Sequence, residues 1–484
     1  MPTPTIIKAE EQFFNVIYEG NGGGQRVGKF VPFDDNGTIA KSCIFNKGDS
    51  PRLNRTPSGT GTSRRKYTLS VWAKPSVSSS ASDERYVIDA GPYGNSDGIT
   101  FDDDRTLKFW MNGRTSGDFK TNRTFEDSSK FYHIVVAVDT TQSTASDRVK
   151  IYVDGDQQTS FSLETYPSQD YDGNWGTTAS TNIGSSNSPN RYYNGYLAEV
   201  NYVDGTAYGP DTFGLTDTST GRWIPKSLTG ISYGTNGFRL EFANSAGQTI
   251  GDDTSGNGND FTVTNLAATD ITTDSPTQNH NTVAPNVNPG SDTISEGNLK
   301  TAGGSSTYSY TVGTMRPKKG KYYAEFKVTS GGGNATQIGI AGRYSSGSTN
   351  HLGYNPTTYS YYYNGSIYLG LSTNSATSWG SSYTDNDYVG VALDLDNNKL
   401  YFAKNNTWQN SSDPETGANA IGIIPPEETQ FGGYAFAVGN FEGAGGPTVE
   451  HNYGQKAFQY TPPSGYVAMQ QDNLPETGKG IPDF

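Results

Sequence analysis

The segment Glu199-Val200-Asn201-Tyr202-Val203-Asp204 comes nearest, in this sequence, to glycoside-cleaving chemistry. A Glu-x-Asp-x-x-Glu strand supplies nucleophile and acid on one face, and retention needs those carboxyls about 5 Å apart. Here Asn201 stands in the middle position, where it cannot act as a nucleophile or set a partner's charge. Asp204 runs into a turn at Gly205. Glu199 is therefore expected to be a polar residue of a sheet face. A serine nucleophile is equally unsupported, because no Gly-x-Ser-x-Gly elbow precedes a helix. The runs Gly22–Gly24 and Gly331–Gly333 lack the strand-to-helix setting and the Lys of a phosphate loop, and read as turns. The chain is read as a non-enzyme.

Binding chemistry has better material. Calcium asks for oxygen ligands from Asp, Asn and backbone carbonyls on Gly-rich loops. Asp252, Asp253, Asn257 and Asp260, with Asn259 among them, cluster in this way, and Ca2+ is the cofactor they suggest; Asp102-Asp103-Asp104 is a second acidic tip. The same composition also makes ordinary turns, in which Asx side chains bond their own backbone. Sugar recognition asks for aromatic faces against C–H surfaces and polar groups on the hydroxyls. Tyr354, Tyr359, Tyr361, Tyr362, Tyr363, Trp379 and Tyr383 crowd one stretch, and Tyr359, Tyr361, Tyr363, Trp379 and Tyr383 are the candidate glycan-binding set. Alternate tyrosines must also pack inward, so part of this crowd belongs to a core. Trp175, Tyr192 and Tyr193 form a lesser group.

Other chemistries are disfavoured. With one cysteine, Cys43, the sequence has no disulfide framework and no Cys-based zinc knuckle. The four histidines lack ligand spacing, and His133, inside an apolar strand, reads as a packed residue. A net charge of −14 repels a phosphate backbone, and Arg64-Arg65-Lys66 is too short a basic run to offset it, so nucleic acid is not expected as a partner. Asn-x-Ser/Thr triplets, as at Asn54 and Asn334, follow from the composition. The start Met1-Pro2-Thr3-Pro4 has no secretory pattern, and the longest apolar run, Ile134 to Val138, is too short for membrane insertion.

The elements that would position these residues are strands. Aromatic content of 12% in a chain with only 17% charged residues argues against disorder. Period-two patterns recur: Tyr67 to Lys74, Val149 to Val153 before an Asp154-Gly155 hairpin turn, Tyr196 to Tyr202, Phe238 to Phe242, Tyr322 to Val328, and Val389 to Leu395 returning at Leu400. Phe131 to Val138 is apolar on both faces, as an inner strand should be. No helix-length stripe intervenes, so the expected fold is all-β, with two tandem antiparallel sandwiches and an N-terminal extended arm. The expected boundaries are an arm over 1–40, a first sandwich over 41–265, a polar linker over 266–285, a second sandwich over 286–470 and a tail over 471–484.

Family likenesses follow from these motifs. Asp387-Tyr388-Val389-Gly390-Val391-Ala392-Leu393-Asp394, running through the turn into Lys399-Leu400-Tyr401-Phe402, resembles the SPRY family, as do the Tyr322–Val328 strand and the ending Asn452-Tyr453-Gly454…Pro462-Pro463. The earlier strands, with Gly195-Tyr196-Leu197-Ala198-Glu199-Val200 and the Asp252–Asp260 loop, resemble the laminin-G/concanavalin A-like group, which implies a jelly roll. The order of the two, after an opening such as Tyr18-Glu19-Gly20-Asn21-Gly22, resembles structural proteins of marine tailed phages.

That resemblance implies a virion location and other virion proteins as partners. The leading expectation is a tail fibre or other surface appendage mediating host attachment, through a cell-surface glycan or protein. Alternatives are a purely structural capsid decoration or head fibre protein, and a polysaccharide depolymerase. A homo-oligomer, trimeric for a fibre, is implied by the resemblance alone.

Overall fold

Strand alternation, not helix, organises the molecule, and the helical pieces among the described residues are short 3-10 turns such as Lys47–Asp49. The structure, a computed structural model, describes residues 37–76, 84–188, 190–218, 220–242, 247–285, 292–303, 308–333, 335–344, 351–373, 375–440 and 446–475. Residues 1–36 of the expected arm, with the Gly22–Gly24 run, residues 476–484 of the expected tail, and Asn334 lie outside them.

The first sandwich packs two sheets of eight strands. In one, Lys66–Pro75 sits between Tyr132–Asp139 and Gly195–Asp204, pairing Tyr67 with Val138 and Leu69 with Tyr202. Tyr67, Leu69, Val71 and Ala73 enter the core between the sheets, while Trp72 faces the other way. A one-residue slip would exchange those faces, so the buried set fixes the register. Tyr132–Asp139 lies inside the sheet, as its apolar character on both faces requires. The second sheet orders Phe161–Thr165, Gly117–Thr124, Thr106–Met111, Asp97–Phe101, Arg85–Ala90, Thr181–Ile183, Arg52–Arg55 and Thr262–Thr264. Its inward residues include Val87, Ile99, Phe109 and Phe119.

The second sandwich combines sheets of nine and six strands. Lys321–Ser330 is central to the larger, antiparallel to Tyr388–Asp394 and Thr448–Asn452 and briefly parallel to Val467–Ala468. Ala435–Asn440 and Gln337–Ala341 are inner strands of the smaller. Tyr322, Phe326, Val391, Phe402 and Phe436 fill the space between.

The polar stretch 266–285 joins the sandwiches, but much of it is packed. Ile271–Thr272 adds a strand beside Ser42–Phe45, and Asp274, Ser275, His280, Asn281 and Thr282 are buried. Composition suggested a linker, with Pro limiting ladder bonds and little apolar surface available. Here polar pairing substitutes for apolar burial. Lys74 Nζ lies 2.8 Å from Asp274 Oδ2 and 2.9 Å from Asn279 Oδ1, with its ammonium 5.2 Å from the centre of the Tyr196 ring. The outward face that carries Trp72, Tyr196 and Ala198 shares one apolar cluster with Leu299, Met315 and the second core. Tyr196 Oη donates to the Gly297 carbonyl at 2.6 Å.

Candidate functional site

The tyrosine-rich stretch of the second sandwich is mostly core. Tyr359, Tyr361 and Tyr383 are buried, at 4%, 0% and 1% exposure, which corrects their assignment as sugar platforms. Their hydroxyls serve the backbone: Tyr359 Oη accepts from Ile424 N at 2.9 Å, Tyr361 Oη donates to the Ser381 carbonyl, and Tyr383 Oη lies 2.9 Å from the Thr336 carbonyl. A phenol whose edge meets a chain carbonyl can sit in a core without a polar penalty. Tyr363 and Trp379 are half-buried, and Trp379 meets Tyr361 edge-on at 5.6 Å. Trp175 and Tyr193 are core residues of the first sandwich, and Tyr192 is half-buried.

The candidate calcium loop is closed by its own hydrogen bonds. Asp253 accepts from Arg239 N, Ser255 N and Asn259 N at 2.8–2.9 Å, and Asp260 from Asp253 N at 2.8 Å. Asp252 accepts from Thr249 N, and Asn257 Nδ2 donates to the Gly237 carbonyl. This is the Asx-turn arrangement, with the carboxylates engaged by amides. Asp102, Asp103 and Asp104 each bring an oxygen within 4.8 Å of the others and could hold a metal. Lysines compete there: Asp102 Oδ2 is 2.9 Å from both Lys108 Nζ and Lys120 Nζ, and Asp104 Oδ2 is 2.7 Å from Lys120 Nζ.

Glu199, Asn201 and Asp204 do not assemble as a pair of acids. Glu199 lies at φ 49° in a β-bulge where the register slips between Ala198 and Asn201. It is buried against Arg239 Nε. Burial raises its pKa, against the lowering by that guanidinium. Asn201 Oδ1 accepts from Tyr233 Oη at 2.7 Å. Asp204 accepts from the amides of Thr62, Ser63 and Asn236. His133 is likewise engaged, stacked on Trp72 at 4.5 Å. Trp223 Nε1 donates to its Nδ1 at 2.9 Å, so Nε2 carries the proton facing Ser70 Oγ. Burial lowers its pKa to about 3.

The outward face of the second sheet of the first sandwich does form a site. On Thr106–Met111, Phe109 and Met111 point inward and Trp110 outward, and on Arg85–Ala90 Tyr86 shares the Trp110 side. The rings meet edge-to-face at 5.1 Å and are themselves buried, at 6% and 2% exposure, so they form the floor on which the exposed Tyr93 stands. Trp110 lies against Gly98, where a Cβ would come within 2.6 Å of the indole. The loop after Ala90 carries Tyr93, 77% exposed, beside this pair. It is fastened by Gly113 N donating to the Ser96 carbonyl at 2.8 Å. Gly113 has φ +60°, and a Cβ there would stand 2.1 Å from the Gly94 carbonyl.

Polar groups ring this cleft of about 290 Å3. Arg191 Nη1 donates to Tyr86 Oη at 3.0 Å, Arg114 lies over Trp110, and Glu84 pairs with both arginines. Asp89 accepts from Asn187 N at 2.7 Å. Burial lifts the pKa of Asp89, and of neighbouring Asp97, to about 6. Gly94-Asn95-Ser96-Asp97-Gly98 has the spacing of a nucleophile elbow but runs from a loop into the Asp97–Phe101 strand, without the helix that such an elbow requires. The cleft can therefore offer a ring face, amides, hydroxyls and guanidinium donors. Sequence reasoning missed Tyr86, Tyr93 and Trp110, although the outward phase of Trp110 within its strand was the available signal.

Residues 50–209 match the model of the concanavalin A-like lectin/glucanases superfamily. Residues 321–414 match that of the SPRY domain. The chain carries a concanavalin A-like lectin/glucanase domain followed by a SPRY domain. Among solved structures it is similar to the SPRY domain of human HERC1, with 17% identity, 36% of this chain and 99% of that chain covered, and a TM-score of 0.27. It is also similar to a human SPRY domain (17% identity, 33% and 94% covered, TM-score 0.25) and to stonustoxin (20% identity, 36% and 27% covered, TM-score 0.26). No curated protein matches the chain. The cleft thus belongs to the lectin-like sandwich, and the crowded tyrosines to the SPRY sandwich.

Proposed function

We propose that this is a non-catalytic carbohydrate-recognition protein, displayed on a tailed-phage virion and attaching it to a host-surface glycan. The observation that carries the reading is the convergence of exposed Tyr93 with Asn187, Asn190, Arg114 and Arg191 around one cleft of the lectin-like sandwich. A tyrosine face beside amides and guanidiniums is what a sugar ring with hydroxyls requires. The match of that sandwich to a superfamily of lectins and glucanases supports binding. The engagement of Glu199 by Arg239 and of Asp204 by three amides supports binding without cleavage. The virion location and host attachment rest on the domain order, which resembles that of marine tailed-phage structural proteins; a trimer is the oligomer such a fibre would form.

The test is a glycan array probed with the full chain and with Tyr93→Ala. Binding by the parent, lost in the variant at unchanged melting temperature, is expected. A parent that binds no glycan and no host cell would instead make the protein a structural decoration. Release of reducing ends from a bound polysaccharide would make it a depolymerase.

A further inference from the structure

Lysine is among the side chains least often fully buried, and it goes under only with partners. Lys74 is 1% exposed, two residues after Trp72 in the Lys66–Pro75 strand and opposite Tyr196 in the neighbouring one. Its ammonium stands 5.6 Å from the centre of the Phe131 ring and 5.2 Å from that of Tyr196. Two side-chain carbonyl groups meet it in this apolar setting. Asp274 Oδ2 lies 2.8 Å from Nζ, and Asn279 Oδ1 accepts from Nζ at 2.9 Å. Both belong to the connecting segment, 200 and 205 residues further along the chain.

An ion pair needs only the first of these partners. The Asn279 amide is clamped at both ends, with Oδ1 on Lys74 and Nδ2 donating to the Ser129 carbonyl at 2.6 Å. Its Cγ lies one carbonyl bond, about 1.2 Å, behind Oδ1, so Nζ begins within about 4 Å of that carbon. Attack requires about 3–3.5 Å, a closure that the flexible lysine stem can supply. Asp274 is buried beside them, with Oδ1 accepting from His280 N at 3.2 Å. Burial raises its pKa, against the lowering by Lys74. A carboxylate so placed can take a proton from Nζ, leaving a lone pair on the amine, and hand it to a leaving group. Asn279 and Ser129 also line a cleft of about 660 Å3 between the sandwiches, into which a small product can escape.

We propose that Lys74 and Asn279 join in an intramolecular isopeptide bond, with Asp274 carrying the protons. Nζ bonds to Cγ, and the Cγ–Nδ2 bond breaks. Over the reaction Nζ loses two protons and Nδ2 gains two, each passing through the Asp274 carboxylate, and the freed nitrogen leaves as ammonium. One amide replaces another, so no oxidant or cofactor is consumed. Fixed side by side in the fold, the two groups react at effective concentrations far above those of free solutes. The product ties the first sandwich covalently to the segment that leads into the second. It goes beyond the glycan-binding function and does not depend on it.

Intact-mass measurement of the full chain under denaturing conditions tests the bond. The parent is expected to be lighter by one ammonia, about 17 Da, than its residues require, and its tryptic digest to hold a branched peptide joining Lys74 to Asn279. The branch tells this bond from loss of ammonia elsewhere in the chain. Lys74→Arg and Asp274→Asn should each restore the full mass and the linear peptides. Asn279→Asp keeps the shape of the site and should close the same bridge with loss of water, about 18 Da. A parent of full mass, with Lys74 in a linear peptide, overturns the proposal and leaves an ion pair only; this outcome needs no variant to fold. So does a loss of ammonia that persists in Lys74→Arg. An Asp274→Asn chain that still forms the bridge overturns the role given to Asp274.

Discussion

The two sandwiches use aromatic residues in opposite ways. In the SPRY sandwich, Tyr359, Tyr361 and Tyr383 lie close in sequence and turn inward, each hydroxyl bonded to the backbone. In the lectin-like sandwich, Tyr86, Tyr93 and Trp110 span a stretch just as long, 25 positions, and meet because the Arg85–Ala90, Asp97–Phe101 and Thr106–Met111 strands are neighbours; Tyr86 and Trp110 are buried there, and Tyr93 alone of the three is exposed. Crowding along the chain reports how much ring area a core can collect. Exposure, in the loop after Ala90, is what sets Tyr93 apart from those rings.

Substitutions can break that contrast. Tyr361→Ala is expected to cost about 3–5 kcal/mol, as for other large buried rings, seen as a lower urea midpoint. Tyr93→Ala should stay within about 0.5 kcal/mol of the parent. Equal losses at the two positions would erase the distinction. Lys74→Met belongs with the large effects. It strands the Asp274 carboxylate in a buried junction and should cost about 3–5 kcal/mol.

Acid titration sharpens the same comparison, because the two strongly raised aspartates belong to the lectin-like sandwich. Burial lifts Asp89 and Asp97 to about 6 from an ordinary 3.8. Between those values the folded state holds protons that the unfolded chain has released. Their contribution is therefore full below about pH 4 and lost as pH rises through about 6, on the order of 3 kcal/mol per group. Denaturant midpoints measured across that window should show the decline, and Asp89→Asn should remove its share. A parent and variant with the same slope would dismiss the burial argument. The smallest effect is expected from chelation. With the Asp252–Asp260 loop bonded to its own amides and Asp102 and Asp104 paired with lysines, EDTA should move the melting temperature by no more than about 1 °C.

Much of the fold was legible in the sequence. The Tyr67–Lys74 and Tyr322–Val328 alternations, the two-faced Phe131–Val138 run and the Asp154-Gly155 turn each follow from strand geometry and side-chain phase. The sites were less so. Asx-rich loops carry the same residues whether a cation or an amide satisfies them, so Asp252–Asp260 could not be decided by composition. Inward and outward tyrosines also look alike until the register is known. The Glu199 bulge illustrates the limit: one slipped residue re-aims a carboxylate that strict alternation would have placed elsewhere. The packing of the stretch 266–285 was hidden in another way, since its buried polar side chains are stabilised by partners far away in the chain, such as Lys74 for Asp274.

That pinned connection has a mechanical consequence. A slack tether would let each sandwich search independently and would dilute a second capture event over all the volume it sweeps. With Lys74 bolted to Asp274 beneath a shared apolar cluster, the separation of the two sandwiches is set by the fold. A partner held by one sandwich would then meet the other at a constant local concentration. Tension between the sandwiches would load the junction as shear across packed side chains, with no spare length to pay out.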